Sequence, residues 1–104
     1  MKHMITWRER PMGSAADYEG AQKRILLVFK HWKFPESIKV LEFLVRVGEW
    51  GGFVLVESSD PVAIHRFTTT FPAFEFRVDQ VLDGHDAVTA ELEAMAWRDG
   101  LRLD

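Results

Sequence analysis

Glu75, Arg77 and Asp79 alternate with Phe74, Phe76 and Val78 in the stretch FPAFEFRVDQVLDG, residues 71–84. A period of two sends the three charges to one face of a strand and the apolar side chains to the other. Charges held this way suit three kinds of chemistry. They can be solvated at a free surface. They can pair with acids and bases of a second chain across an oligomer interface. They can also line a small-molecule pocket, with Trp7 as its aromatic wall or His3 as its proton-handling group. Glu42 and Arg46 alternate in the same manner within VLEFLVRV, and Glu57 lies near the end of FVLVES. The candidate pocket or interface residues are therefore His3, Trp7, Glu42, Arg46, Glu57, Arg77 and Asp79. Their mixed signs make an interface between copies the first expectation, with Arg77 paired rather than free, because an unpaired buried charge is costly.

Other chemistry finds less support. The four histidines are His3, His31, His65 and His85, and none stands in an HxH or HExxH arrangement. A metal site needs three or four convergent ligands. His3 with Glu57 or Asp79 is the one combination worth weighing, and satisfied or exposed histidines are the simpler expectation. Ser58 and Ser59 precede Asp60-Pro61 and read as turn residues rather than nucleophiles. GEWGG, residues 48–52, lacks the GxGxxG spacing and joins two strands, whereas phosphate cradling uses a loop that opens a helix. Trp50 at that turn is expected in an oligomer contact, with a ligand lid as the lesser reading. No catalytic set is assigned, and no cofactor or metal is expected.

The elements that must position these residues are legible from periodicity. Residues 2–9, KHMITWRE, alternate, with His3, Ile5 and Trp7 on one face and Met4, Thr6 and Arg8 on the other. Ser14 stands three residues before Asp17, close to a capping box, and opens an amphipathic helix over about 14–31. Phe34-Pro35 ends it. Residues 37–47 and 53–58 read as a hairpin of two strands, with Leu41, Phe43, Val45 and Val47 opposite Val40, Glu42, Leu44 and Arg46. Asp60 caps a short helix over 61–70, and Pro61 suits its first turn. Pro72 closes it before the strand 74–81. Asp83 begins a last helix over 84–99, with Val88, Leu92 and Met95 as its stripe and Gly100 after its end. The order β-α-β-β-α-β with one more helix predicts an α+β, ferredoxin-like domain over 1–104, its core about 2–82. The expected strand order is 4-1-3-2. Two helices cover one face of such a sheet, so Val40, Leu44 and Leu55 on the other face call for a cover. Either the third helix or a second chain supplies it.

Bulk properties narrow the class. The chain has 104 residues, 47% hydrophobic and 28% charged, with a net charge of −3. That size and balance fit one soluble domain. A weakly acidic chain argues against nucleic-acid binding, which uses clustered Lys and Arg. The one basic cluster, Lys23, Arg24, Lys30 and Lys33, complements a helix C-terminus. With no cysteine, disulfides, thiolate nucleophiles and cysteine-ligated metals are excluded. No signal-peptide pattern and no membrane-spanning apolar run is present, so the expected location is cytoplasmic. Four Trp and eight Phe against one Tyr point to aromatic side chains used for packing, in a core or between chains.

MKHMITWR, GFVLVESSDPVAIHRF and FEFRVDQVLD resemble an uncharacterised bacterial family of about ninety residues, known as a domain of unknown function. The resemblance covers roughly 2–82. Such proteins look like members of the dimeric α/β-barrel superfamily, in which two ferredoxin-like sheets close face to face. The resemblance implies that fold and a homodimer or higher homo-oligomer. It carries over no catalytic residues. Enzymes of that superfamily place cofactor-independent oxygenation or isomerisation in a cavity, so it also raises the alternative of a small enzyme, or a binder of an apolar organic compound, with a pocket lined by Trp7, Phe43 or Leu55.

Overall fold

Local capping decides where the first two helices begin. The computed structural model describes residues 1–102. Strand β1 runs Lys2–Glu9, and helix α1 follows at Ala15–His31. The Ser14 hydroxyl accepts from the Asp17 amide at 3.2 Å, so one orphan donor of the first turn is satisfied. The helix stops at His31, short of Pro35, because Trp32 turns extended and packs inward. Its indole lies 5.1 Å from the Phe67 ring and 4.4 Å from Phe34. Helix α2, Pro61–Thr70, opens with Asp60 accepting from the Ala63 amide at 3.1 Å. Its last turn carries three threonines whose hydroxyls donate back to the carbonyls of His65 and Arg66. The remaining elements are β2 (Lys39–Val45), β3 (Gly51–Glu57), β4 (Phe74–Val81) and α3 (Gly84–Asp99).

The four strands form one antiparallel sheet ordered β2-β3-β1-β4, which is the expected 4-1-3-2 order of the ferredoxin-like fold. Register decides what each face shows. Trp7 pairs with Gly52 and Phe76, and Ile5 with Val54 and Val78. These residues face α1 and α2. Ile5, Val54 and Val56 are wholly buried there, with Ile25 of α1 and Ala63, Ile64 and Phe67 of α2 over them. On the opposite face the rows read Leu44, Phe53, Thr6, Arg77, then Glu42, Leu55, Met4, Asp79.

Two expectations change. A bulge between Val40 and Glu42 shifts the alternation of β2. Val40 pairs with Val56 and so belongs to the helix-covered face, while Leu44 and Leu55 remain on the open one. The strand also ends at Val45, two residues before the expected end. The second change concerns α3. It covers neither face. None of its residues is buried, and only Ala87 is even partly covered. The chain is 69 Å long with a radius of gyration of 19.2 Å. A compact chain of this length would have about 13 Å. Lys2 donates to the Asp83 carboxylate and holds the start of α3 at the end of the sheet. That hydrogen bond raises the Lys2 ammonium above the ordinary lysine range.

Glycine placement gives a paired test. A Cβ on Gly52 would meet the Leu44 carbonyl oxygen at 2.0 Å, whereas one on Gly20, inside α1, would meet nothing within 4 Å. Gly52→Ala is expected to lower the unfolding free energy by about 2 kcal/mol or more through backbone displacement. Gly20→Ala is expected to raise it by about 0.5–1 kcal/mol. Urea unfolding of the two variants measures both signs.

Candidate functional site

Aromatic side chains converge between the sheet and the helices. From β1 comes Trp7, and from β4 come Phe74 and Phe76. Phe74 lies 4.8 Å from the Trp7 ring. Ile25, Leu26 and Phe29 of α1 form a second wall. Phe67 of α2 and Phe71 at its end form a third. Phe29 reaches across to Phe43 of β2 at 5.9 Å and to Phe71 at 6.2 Å, and so ties α1 to both neighbours. These groups enclose a cavity of about 200 Å³ whose lining side chains are all apolar or aromatic. Phe43, Val45, Leu26 and Phe29 also line it, yet they remain exposed, so its mouth lies between α1 and β2.

The cavity exists because α1 and α2 pack over the middle of the sheet and leave β2 lightly covered. Gly52 sits in the row between Val45 and Trp7 and adds no side chain to the floor. Trp50 closes one side. It is not free at the hairpin tip: its indole stacks on Phe74 at 6.2 Å with an 18° tilt, and its carbonyl accepts from the Glu9 amide. The backbone folds it there through Gly48, whose φ of +90° suits glycine. Trp7 has a further property. Its indole Nε1 is buried and has no hydrogen-bond partner.

The residues singled out from the sequence fall into separate places. Trp7 and Phe43 line the cavity. His3 shares the helix-side face of β1 but pairs with Val56 and Gln80, away from the cavity. Glu42, Glu57, Arg77, Asp79 and Leu55 are on the opposite face. His3 is therefore separated by the sheet from both Glu57 and Asp79, and these three do not converge. Among the described residues no group of three or more His, Asp or Glu is placed to hold a metal ion. Arg46 lies on the open face too, its guanidinium 4.6 Å from the Phe53 ring and 3.0 Å from Glu49. Arg77 pairs with Asp79 on its own strand at 2.9 Å while remaining 79% exposed. Such a pair contributes about 0–1 kcal/mol to the free chain.

A model for a domain of unknown function, DUF3303, matches residues 1–95. The chain belongs to the DUF3303 family. The match reaches beyond the expected core and takes in the α3 residues as far as Met95. No curated protein and no solved structure matches the chain. Among the described residues no helix is long and apolar enough to cross a membrane.

Trp7 allows the energetic role of the cavity wall in this DUF3303 chain to be measured. Trp7→Phe keeps a ring in the wall and removes the unpartnered N–H, which offsets some lost contact. It is expected to stay within about 1 kcal/mol of the parent. Trp7→Ala is expected to cost about 3–5 kcal/mol. Chemical denaturation of both variants gives the comparison.

Proposed function

We propose that this protein binds a small apolar organic compound in the aromatic cavity and does so as a homodimer. The observation that carries the reading is the cavity itself. An apolar cavity of about 150 Å³ is large enough to take benzene. One of about 200 Å³, walled by Trp and Phe rings, suits a substituted single-ring or small fused-ring compound. Binding there depends on shape and on apolar area removed from water. The rival reading, a cofactor-independent monooxygenase or isomerase, needs a group that takes a proton from the substrate. No titratable side chain lines this cavity, so binding is favoured over turnover.

The homodimer rests on the open sheet face, in keeping with the resemblance to dimeric α/β barrels. That face combines Phe53, Leu55 and Met4 in its middle and Leu44 on β2 with charges toward β2 and β4. A two-fold axis parallel to the strands would lay β4 of one copy over β2 of the other. Arg77 would then lie over Leu44 of the second copy, one row from Glu42, where its long side chain could bridge that carboxylate and its own Asp79. Burying this face would add roughly 25 cal/mol per Å² of apolar area, before association costs.

Two measurements test these statements. Tryptophan fluorescence should respond to p-cymene or a similar single-ring hydrocarbon, because Trp7 and Trp50 both line the cavity. The expected Kd is on the order of 10–100 µM. Val45→Trp fills the mouth from an exposed strand position and should abolish the response without unfolding the chain. An unchanged response in that variant would remove the cavity as the site. For the dimer, sedimentation at micromolar concentration should give twice the 12.0 kDa chain mass. Arg77→Glu should shift the protein toward monomer, and Glu42→Arg added to it should restore the dimer. A single 12 kDa species in the parent would end the dimer reading.

A further inference from the structure

Trp7 holds a hydrogen-bond donor that the chain leaves unused. The side chain is 8% exposed, and its Nε1 is buried without an acceptor. Among the described residues it is the only buried side-chain nitrogen or oxygen that lacks a partner. An N–H buried in this way costs stability, and folded chains retain few of them. This one belongs to a residue of the cavity wall.

The chain has no ready means of satisfying it. The other residues around the cavity are Ile, Leu, Val, Phe and Trp, and none carries a side-chain acceptor. Strand β1 is paired on both sides, so the carbonyls beside Trp7 bond within the sheet, whereas the indole stands off its face. A water would be poorly held, because a buried water needs several polar partners and this wall is apolar. The remaining source of an acceptor is a molecule that enters the cavity of about 200 Å³.

We infer that the ligand of this cavity is a neutral aromatic carbonyl compound, whose oxygen accepts from Trp7 Nε1 while its ring and alkyl groups fill the space between Phe29, Phe43 and Phe74. The inference rests on the reading of the cavity as a binding site and narrows the class of its ligand. A carboxylate is disfavoured, because it would be buried with no cation beside it. A phenol or an alcohol would bring an O–H of its own, for which the wall offers no acceptor. A ketone, aldehyde or ester accepts and donates nothing. Nε1 is closed off by its neighbours, so the indole turns toward the cavity as the ligand enters, a side-chain movement common on binding.

The pair p-cymene and 4-methylacetophenone makes the test, because the two differ in little beyond a methyl group replaced by a carbonyl oxygen. Isothermal titration gives the Kd of each for the parent and for Trp7→Phe. The smaller ring alters the wall for both ligands alike, so the ratio of the two affinities isolates the N–H. Trp7→Phe is expected to weaken the ketone about three- to tenfold relative to cymene. In the parent, with no substitution at all, the Nε1–H proton resonance of Trp7 should move downfield with the ketone and not with cymene. An unchanged ratio, or a resonance that responds alike to both, would overturn the carbonyl class and leave the cavity standing as a site for hydrocarbons. Tighter binding of 4-methylbenzoate than of the ketone would overturn it as well. If neither cymene nor the ketone binds the parent, the cavity reading itself falls, and this inference with it.

Discussion

Strand β1 is hydrogen-bonded on both sides, to β3 and to β4, and its alternation sets what each face of the sheet presents. Because side chains change face at every residue, placing Ile5 and Trp7 under the helices sends Met4, Thr6 and Arg8 to the other side. The neighbouring strands then have no freedom. Val54 and Val56 must join the core, and Arg77 and Asp79 must join the open face. A one-residue slip in either pairing would bury charge and expose the core residues together. The cavity and the candidate interface are consequences of this one register, back to back across a single sheet.

The aromatic layer converts that register into a site. Trp32 packs on Phe67, Phe29 bridges Phe43 and Phe71, and Trp50 stacks on Phe74. Rings of this size meet at their edges and faces without filling every gap between them, and they leave space near Trp7. Leucine or isoleucine in their place would collapse more readily. The abundance of Phe and Trp and the scarcity of Tyr thus have a local meaning: the groups around the cavity are large and nearly all without a hydroxyl.

How much of this could be read beforehand depends on the range of the interactions. β1, α2 and β4 were legible to the residue because their signals are local: alternation in KHMITWRE, Asp60-Pro61 at a helix start, and Pro72 before Phe74. β2 was less so. Its alternation is interrupted by a bulge, which depends on pairing with β3 and leaves no mark in the spacing of VLEFLV. Val40 accordingly lies on the face opposite to the one its spacing predicts. Trp7 was legible as an aromatic wall, but its companions Phe29, Phe71 and Trp50 come from three separated segments. Only tertiary packing brings them together. His3 and Asp79 looked like possible neighbours because strand order says who is adjacent, while the parity of the register says which face, and parity set them apart. The stripe on α3 was visible in Val88, Leu92 and Met95, yet a stripe does not say what it will lie against.

The irregular pairing of β2 has one more consequence. β2 is an edge strand, and its outer backbone groups have no neighbour within the sheet. A straight edge rich in valine, leucine and phenylalanine, as VLEFLV is, would be an open template for uncontrolled strand addition and fibre growth. The bulge between Val40 and Glu42 breaks the even spacing of donors and acceptors along that edge, and Lys39 and Glu42 place charge beside the break. The distortion that shifts one valine to the other face thereby also acts as a guard against aggregation at the most apolar border of the sheet.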